Sequence, residues 1–534
     1  MLSAKQEKFT DLVVYQIYPK SFCDSNGDGI GDIKGIIGKL DYIKELGANA
    51  IWICPIYASP QCDNGYDISD YRAIDGMFGT MRDFEELVSV AHSKGIKVIM
   101  DLVANHTSSE HFWFKEARRS RDNRFHDYYY WSETPPNDWQ SCFGESTWEC
   151  NEQTNEYYLH SFAKGQPDVN WTNPEVRKEF CDIVDFWVNK GVDGFRCDVF
   201  DMISKELDKP NGNGNGPKLH EYIRELFGRP SVENVFTVGE CWGANIENIK
   251  LLCGENRKEL KSSFQFDHLG TGDNRWVKSR FSMNDCATIL SKWQTVTQEN
   301  DILYTLFTDN HDQPFFNSRI GNDVAYRYQS ATMIATMVFL MRGIPFIYQG
   351  QEIGCANSEY NEISYFDDVE TLNFYNSYSG KTDKDELMKR INFGNRDNSR
   401  RPFAWNGKRG FGFTDAESPW LPYGSRSSEI NVESDLKSKN SVLKYYRELF
   451  SLRNGTKAFR CGAFKDITDD KGYIAYIREY ENEKYLVICN FEDKNKINFC
   501  ETLNIDQIVL SNTGRKNIDG YTFDPYESLV CKLY

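Results

Sequence analysis

Residues 191–199 have the sequence GVDGFRCDV, which is typical of a short buried strand, 195–199, whose end carries a carboxylate. Alternate side chains of a strand share one face, so Arg196 and Asp198 are expected to point the same way. The guanidinium is then expected to keep the carboxylate ionised near neutral pH. An ionised, oriented carboxylate can act as a nucleophile. A structural ion pair is an equally good interpretation of this stretch alone, so the rest of the chain must decide.

Short apolar runs rich in Val, Ile and Phe recur along the chain, and each is followed by a segment of helical pattern. This alternation is typical of βα units around a parallel sheet. Eight such runs are present, which is the number that closes a (β/α)8 TIM barrel, so we predict an α/β fold with its active site at the C-terminal ends of the strands. The predicted strands are 13–18, 50–56, 97–103, 195–199, 236–241, 263–267, 304–308 and 345–349.

Two regions depart from the βα pattern. The connection from residue 105 to about 172 is far longer than a βα loop needs and is rich in aromatic residues, so it is predicted to be an inserted subdomain after strand 3. Beyond residue 455 short alternating strands (473–480, 484–490 and 527–533) predict a C-terminal antiparallel β domain. The predicted domains are 1–104 and 173–455 for the barrel, 105–172 for the insert and 456–534 for the C-terminal domain.

Composition excludes several classes of partner. A formal net charge of -17 argues against nucleic acid or an anionic membrane as the main partner, because both require a basic face. Residues 1–20 carry charges throughout and contain no signal-peptide core, and no run reaches the length of a membrane span. The 15 cysteines are scattered, and Cys54, Cys197 and Cys241 lie in predicted strands, so we expect reduced thiols in a cytoplasmic protein. We expect a monomer or a weak homo-oligomer.

The loop after the first predicted strand, residues 24–32, has the sequence DSNGDGIGD and places oxygen-bearing side chains at alternate positions. Hard oxygen ligands and bending glycines are the composition of a Ca²⁺ loop, and Mg²⁺ is the alternative ion. An Asx-rich turn without metal is the other interpretation. No organic cofactor is predicted. The candidate ligands are the side chains of Asp24, Asn26, Asp28 and Asp32 and the carbonyl oxygen of Ile30.

Three carboxylates leave predicted strands 4, 5 and 7 at one face of the barrel. Asp198, Glu240 and Asp312 end these strands, and His106 and His311 stand at the same edge. Two carboxylates that flank a bond are the equipment of glycoside hydrolysis. Asp198 is then the nucleophile. Glu240 has no adjacent arginine, so it is expected to have a raised pKa and to act as the acid/base. Asp312 and the two histidines would contact sugar hydroxyls and stabilise the transition state.

Four motifs carry a family resemblance. In chain order, DLVANH (101–106), GFRCDV (194–199), TVGE (237–240) and NHDQP (310–314) resemble the signature regions of the α-amylase superfamily, glycoside hydrolase family 13. The likeness covers nearly the whole chain and includes the loop 24–32, IYQGQEIG (347–354) and RDNSRRPFAW (396–405). Within the family the chain looks most similar to the exo-acting α-glucosidases of the oligo-1,6-glucosidase type.

The resemblance implies a retaining double displacement, with the carboxyls of Asp198 and Glu240 about 5 to 5.5 Å apart. It also implies that an ion pair of Asp63 with Arg396 closes the pocket around a terminal glucose and so explains exo action. Val199 matches the residue found after the nucleophile in α-1,6-specific relatives. The residues implied to line the sugar pocket are Asp63, Tyr66, His106, Arg196, His311, Asp312 and Arg396.

Some positions depart from the family pattern, so the sequence does not decide which leaving group the enzyme prefers. Asp309 adds a carboxylate and Phe315 replaces an arginine, both expected near the aglycone side, and Arg401 begins the RPFAW stretch. Residues 267–274, DHLGTGDN, lack the Arg- and Asp-rich motif of sucrose isomerases, which argues against isomerisation. The alternatives are an α-glucosidase of mixed α-1,4/α-1,6 or sucrose specificity, a trehalose-6-phosphate hydrolase, which needs a cationic pocket, and, remotely, a non-catalytic transporter-associated homologue.

Overall fold

The computed structural model describes residues 8–270, 274–497, 503–517 and 522–534. Eight parallel strands close a barrel, and all eight predicted strands are confirmed with ends that differ by up to three residues. Every barrel residue in these strands except Lys97 is buried, as expected for a parallel sheet covered by helices. In chain order the barrel strands are Val14–Ile17, Ala50–Ile53, Lys97–Val103, Gly194–Asp198, Phe236–Glu240, Ser262–Phe264, Leu303–Leu306 and Ile344–Tyr348.

Local sequence signals set the helix ends. Asn173 caps the helix Pro174–Asn189 by accepting a hydrogen bond from the amide of Glu175, and Pro174 takes the first helical position, where no amide donor is needed. The α-helices are Ile33–Ile37, Leu40–Leu46, Met81–Ser93, Phe112–Ala117, Pro174–Asn189, Leu219–Phe227, Ile249–Cys253, Met283–Glu299, Phe316–Arg319, Arg327–Phe339, Val369–Tyr378, Lys384–Gly394, Asp397–Arg400, Val432–Lys437, Val442–Gly455 and Lys457–Cys461.

Three segments inserted after barrel strands cover the C-terminal face of the barrel, and they are called excursions below. An antiparallel pair, Tyr57–Ala58 with Asp70–Ile74, follows the second barrel strand. The insert after the third strand contains the antiparallel strands Trp131–Ser132, Glu156–Leu159 and Trp148–Asn151, in that order, and Tyr130, Trp139, Trp148 and Leu159 form its small core. The third excursion follows the eighth barrel strand and contains the helices Val369–Tyr378 and Lys384–Gly394, which the sequence analysis did not separate from the barrel.

The C-terminal domain is an antiparallel sheet, as predicted. Its strands are ordered Ala463–Asp466, Tyr473–Tyr480, Glu483–Asn490, Ser528–Leu533 and Ile505–Ser511, and the short strands Asn495–Lys496 and Thr522–Phe523 pair beside it.

None of the helices in the described ranges combines the length and apolarity of a bilayer span. No disulfide joins cysteines within the part of the chain that the structure describes.

Buried polar contacts fasten this sheet to the barrel. Arg478 is fully buried in the strand Tyr473–Tyr480. Its guanidinium donates to the carbonyl oxygens of Leu340, 2.5 Å away, and Gly462, 2.9 Å away, and so joins a barrel helix to the start of the sheet. Tyr476 donates from the same strand to the carbonyl oxygen of Met337 at 2.9 Å. A buried carbonyl that loses its donor cannot regain it from water.

Arg478→Ala is therefore expected to destabilise the fold by about 1–3 kcal/mol, because each buried carbonyl left without a donor carries a desolvation penalty. The measurement is the urea midpoint and the thermal midpoint of the variant against the wild type. Arg409→Ala removes an exposed arginine and is the matched control, expected within about 0.5 kcal/mol of wild type. Equal midpoints for the two variants would contradict the docking role of Arg478.

Candidate active site

Asp198 and Glu240 end neighbouring barrel strands and lie side by side. Parallel pairing sets Val238 opposite Arg196 and Gly239 opposite Cys197. Because alternate residues share a face, this register brings Asp198 and Glu240 to the same level inside the barrel mouth. Both residues are buried, at 6% and 4% exposure. The strand geometry expected from residues 191–199 is present: Arg196 Nη1 donates to Asp198 Oδ1 at 2.6 Å.

One guanidinium serves three carboxylates at this point. Arg196 Nη1 also donates to Asp101 Oδ1 at 2.8 Å, and Arg196 Nη2 donates to Glu240 Oε2. The indole of Trp52 lies 5.2 Å from the guanidinium and completes its surroundings. The prediction that Glu240 has no arginine beside it is therefore wrong, because the contact comes from the adjacent strand and is invisible in the linear sequence.

The expectation that Arg196 keeps Asp198 ionised is also corrected. Burial raises the pKa of Asp198 to about 7, against the lowering effect of Arg196. Burial likewise raises the pKa of Glu240 to about 7, and that of Asp101 to about 6. A single positive charge divided among three buried carboxylates does not offset the loss of hydration of all of them. Asp198 and Glu240 are thus both able to hold or release a proton at neutral pH.

Two groups orient Glu240 further. Val199 donates its backbone amide to Glu240 Oε2 at 3.2 Å, and it does so from a left-handed conformation, φ 35° and ψ 47°. That conformation is unusual for a β-branched residue and costs on the order of 1–3 kcal/mol. Trp242 donates its indole N–H to Glu240 Oε1 at 3.1 Å, is 51% exposed, and stacks on Phe266 at 4.1 Å. The sequence indicated Trp242 only as a neighbour of Glu240.

The charges around Asp312 favour its ionised form, in contrast to the surroundings of Asp198 and Glu240. Its Oδ1 accepts hydrogen bonds from Arg400 Nη2 at 2.6 Å and Arg396 Nη1 at 3.2 Å, and its Oδ2 lies 3.0 Å from His311 Nε2. Burial alone would raise the pKa of Asp312, but His311 and the two arginines hold it well below its usual range. Arg400 was not predicted. It lies four residues after Arg396 in RDNSRRPFAW, at the end of the short helix Asp397–Arg400, and that spacing is the signal that could have found it.

The predicted pair of Asp63 with Arg396 exists, but it is not the main contact of that arginine. Arg396 Nη2 lies 3.4 Å from Asp63 Oδ1 and 2.6 Å from Asp368 Oδ1. Burial opposes ionisation of Asp368, yet Arg396 and Arg400 hold its pKa below the usual range. Asp368 caps the helix Val369–Tyr378, in the third excursion, and no motif in the sequence pointed to it. Gln166 of the insert donates to Asp63 Oδ2 at 3.1 Å.

The histidines and Tyr66 complete the pocket wall. His311 Nε2 lies 2.6 Å from the Tyr66 hydroxyl, and the two rings stack at 5.3 Å with an angle of 8°. His106 Nε2 lies 3.1 Å from Gln166 Nε2. Burial lowers the pKa of both histidines, so both imidazoles favour the neutral form. The structure therefore brings all ten predicted catalytic and sugar-pocket residues to one end of the barrel: Asp63, Tyr66, His106, Arg196, Asp198, Val199, Glu240, His311, Asp312 and Arg396.

Asp309 and Phe315, which differ from the family pattern and were expected near the aglycone side, lie elsewhere. Asp309 accepts hydrogen bonds from Thr308 Oγ1 and the Phe316 amide, both at 2.6 Å, and burial raises its pKa to about 6. Phe315 packs in a buried cluster with Tyr18 and Tyr348. The placement predicted for both residues is wrong, because the chain turns them inward after strand 7. Arg401 lies over the Tyr360 ring at 4.1 Å and also packs internally.

The loop 24–32 is held by its own side chains. Asp24, Asn26 and Asp28 accept hydrogen bonds from backbone amides two to five residues ahead, and Asp32 caps the helix Ile33–Ile37 through the Gly35 amide. No three His, Cys, Asp or Glu side chains converge as metal ligands within the described ranges.

Of the stretch 267–274, residues 271–273 lie outside the described residues.

The geometry agrees with the comparisons. The family model for the α-amylase catalytic domain matches residues 16–462. The chain belongs to the α-amylase family, glycoside hydrolase family 13. An oligo-1,6-glucosidase of Parageobacillus thermoglucosidasius is 43% identical over 97% of this chain and 96% of its own length.

Solved structures agree over the same length. A mutant trehalose-6-phosphate hydrolase of Bacillus licheniformis is 40% identical, with a TM-score of 0.93 over 98% of this chain and 99% of that one. A mutant isomaltulose synthase of Erwinia rhapontici NX5, in complex with D-glucose, is 36% identical, with a TM-score of 0.93 over 98% and 99%. The relatives share the family but differ in their named reactions, so linkage and leaving group must be argued from the site.

The raised pKa of Glu240 predicts a pH-dependent cost to folding. A carboxyl whose pKa is higher in the folded than in the unfolded chain lowers stability as pH rises from about 4.5 through 7, since the folded state must then hold a buried charge. Glu240→Gln removes that charge, and we expect it to raise the thermal midpoint at pH 8 by about 2–4 °C. The gain is expected to shrink by pH 5. Exposed Asp208→Asn is the control, and an equal effect of Glu240→Gln at both pH values would contradict this cause.

Proposed function

We propose that this family member is a retaining, exo-acting α-glucosidase that hydrolyses terminal α-1,6-glucosidic bonds of isomalto-oligosaccharides. The observation that carries the proposal is the pair Asp198 and Glu240, held on adjacent nitrogens of one guanidinium with pKa values of about 7, beside the ionised Asp312. This is a set of carboxylates in which one can be charged and one protonated at the same pH, as double displacement requires.

In the proposed mechanism, Asp198 attacks the anomeric carbon as a carboxylate and Glu240 gives its proton to the departing glycosidic oxygen. The product of that step is a glucosyl ester of Asp198 and the free leaving alcohol. Glu240, now ionised, takes a proton from water, and the resulting hydroxide cleaves the ester with a second inversion. Asp312 stabilises positive charge at the sugar ring in both steps. The two carboxyls are expected about 5 to 5.5 Å apart.

Exo action is proposed from the closure of the pocket. The 3.4 Å contact of Asp63 with Arg396 blocks the pocket beyond one sugar unit, and Asp368 fixes Arg396 from behind. Gln166 ties Asp63 to His106 across the same wall. Charged and amide groups in these positions suit the hydroxyls of a terminal glucose. A sugar hydroxyl would contact His106 or His311 by sharing or replacing the bonds that their Nε2 atoms make with Gln166 and Tyr66.

The α-1,6 preference is proposed from Val199 and from the relatives named oligo-1,6-glucosidase. A non-catalytic role is disfavoured because all three carboxylates expected for catalysis, Asp198, Glu240 and Asp312, are present. Trehalose 6-phosphate is disfavoured by a cleft at the mouth that is lined by Glu145 and Glu370, with no Lys or Arg among its described lining residues. A phosphate-bearing leaving group requires cations there. Mixed α-1,4/α-1,6 or sucrose specificity remains the alternative that a substrate panel must decide.

A further proposal concerns cell location. No disulfide is formed among the described cysteines, and Cys54, Cys197 and Cys241 are buried within or beside barrel strands. Thiols in such positions persist in a reducing compartment. We therefore propose a cytoplasmic enzyme that acts on imported short oligosaccharides, either as a monomer or as a weak homo-oligomer.

On a panel of isomaltose, isomaltotriose, panose, maltose, sucrose and trehalose 6-phosphate, we expect isomaltose to be cleaved much faster than maltose, sucrose or trehalose 6-phosphate. Proton NMR is expected to show α-glucose as the first product, since two inversions retain configuration. Asp198→Asn should lower kcat by about a thousandfold or more at unchanged fold. Faster cleavage of maltose than of isomaltose would overturn the proposed α-1,6 preference. β-Glucose as the first product would overturn the retaining mechanism, and full activity of Asp198→Asn would overturn the assignment of Asp198 as the nucleophile.

The Ca²⁺ site stays a prediction. The proposed ligands are the side chains of Asp24, Asn26, Asp28 and Asp32 and the Ile30 carbonyl, and the ion would replace hydrogen bonds that these four side chains accept within the loop and from the helix Ile33–Ile37. An ion bound only by the folded chain at 100 times its Kd adds about 2.7 kcal/mol of stability. After EDTA treatment, Ca²⁺ is expected to raise the thermal midpoint more than Mg²⁺ does, and Asp28→Ala should abolish the rise. An identical response of wild type and Asp28→Ala would contradict the site.

A further inference from the structure

Gln16 lies in the first barrel strand, Val14–Ile17, and its side chain contacts His311 inside the barrel mouth. The residue is buried, at 1% exposure. Gln16 Nε2 lies 2.8 Å from His311 Nδ1 and 3.4 Å from Cys54 Sγ. His311 faces Tyr66 with its other ring nitrogen, Nε2. The first strand thus supplies a polar contact on the side of the imidazole that points away from the sugar pocket wall.

The imidazole of His311 cannot turn freely, because aromatic rings pack around it. Tyr66 stacks on it at 5.3 Å and Tyr18 at 6.1 Å, with interplanar angles of 8° and 23°. The indole of Trp52 lies at 5.9 Å and is nearly perpendicular, at 89°. A ring that is packed in this way keeps each of its nitrogens beside its own partner.

The oxygens beside Nε2 decide where the proton of this histidine lies. Asp312 Oδ2 is 3.0 Å from His311 Nε2, and this carboxylate, ionised beside two arginines, can only accept hydrogen bonds. The Tyr66 hydroxyl lies 2.6 Å from Nε2 and 3.5 Å from Asp101 Oδ2, which can accept the hydroxyl proton. A lone pair on Nε2 would oppose the carboxylate of Asp312. The ring therefore carries a proton on Nε2.

The Nδ1 side of the ring must then accept a hydrogen bond. Burial lowers the pKa of His311, Asp312 opposes this effect, and the charges of Arg196 and Arg400 add to it, so the ring is neutral and has one proton. With that proton on Nε2, Nδ1 holds a lone pair, and the amide N–H of Gln16 is its donor. The other titratable groups around this contact are Tyr18, Cys54, Tyr66 and Asp101.

We propose that Gln16 is a positioning residue that fixes the tautomer of His311, so that the imidazole N–H always faces Asp312 and the sugar. A sugar hydroxyl that enters the pocket then meets a histidine that donates, while Asp312 remains the acceptor beside it. The proposal rests on the proposed α-glucosidase function and adds to it the residue that sets the direction of the hydrogen bonds around the transition state. Gln16 acts through His311 and not by contact with the sugar.

The first test measures the tautomer in the intact enzyme. Protein labelled with ¹⁵N in the rings of its 8 histidines gives two ring signals for each, and the signals lost in His311→Asn belong to His311. In the wild type at pH 7 we expect a protonated Nε2 and an unprotonated Nδ1. In Gln16→Glu the carboxylate accepts from the ring, so we expect a proton on Nδ1. A wild-type ring that carries its proton on Nδ1 overturns the proposal.

The second test is kcat/KM for isomaltose and for p-nitrophenyl α-glucoside, whose cleavage does not depend on the linkage preference. Gln16→Glu keeps the shape of the side chain but offers no donor when ionised, and Gln16→Met removes the donor at similar volume. We expect each variant to lower kcat/KM on both substrates by about ten- to hundredfold, the range for one buried hydrogen bond left unmade.

Gln294→Glu is the matched control. Gln294 is fully buried and exchanges two hydrogen bonds with the backbone of Arg342, in the turn before the eighth barrel strand, at the opposite end of the barrel. This variant is expected to lower the thermal midpoint and to leave kcat/KM unchanged below it. Circular dichroism at the assay temperature verifies that each variant is folded, and if neither Gln16 variant folds, the wild-type ring signals decide.

Wild-type activity of Gln16→Glu or Gln16→Met overturns the positioning role. A loss of activity in Gln16→Glu without a proton on His311 Nδ1 also overturns it, because Gln16 would then act by packing alone. An equal loss in Gln294→Glu would show that the effect does not belong to His311. A wild type that cleaves neither substrate overturns the proposed function, and the positioning role with it, whereas the ring signals still decide the tautomer.

Discussion

The buried guanidinium of Arg196 is the contact on which the site depends. It binds Asp101, Asp198 and Glu240, which come from three adjacent barrel strands, and it lies over the indole of Trp52. Without this positive charge, three carboxylates would face each other in a volume that excludes water, and none could remain ionised beside the others. Because the arginine is shared, it orients the acids without fixing which of them carries the charge.

The barrel mouth is therefore divided into two electrostatic halves. Asp198 and Glu240 share one arginine and have pKa values of about 7, whereas Asp312 is contacted by two arginines and is held well below its usual pKa. The half with the raised pKa values is built from barrel strands, where positions are fixed by backbone pairing. The arginines of the other half come from the third excursion, which also supplies Asp368. The two halves thus come from different parts of the chain.

Several features that sequence reasoning missed share one physical cause. Arg400, Asp368 and Glu370 reach the site from the segment after the eighth barrel strand: Arg400 contacts Asp312 of the seventh strand end, and Asp368 and Glu370 contact Arg396, which the folding of that segment brings beside them. Asp309 and Phe315 were expected near the aglycone side because they adjoin the NHDQP motif, but the chain after strand 7 turns them into the core. A residue's place in a motif indicates which loop carries it, and packing decides which way it points.

The sequence by itself determined the barrel, the insert, the C-terminal sheet and the residues that end the strands, because hydrophobic periodicity and strand-end position are local properties. It also determined that Arg196 and Asp198 share a face, since alternation along a strand requires no partner. Only the tertiary structure decided that Arg196 serves Glu240 as well, that the pKa of Asp198 is raised rather than lowered, and that Val199 is left-handed. Strand register, burial and the sum of surrounding charges set these properties, and each arises from residues distant in sequence.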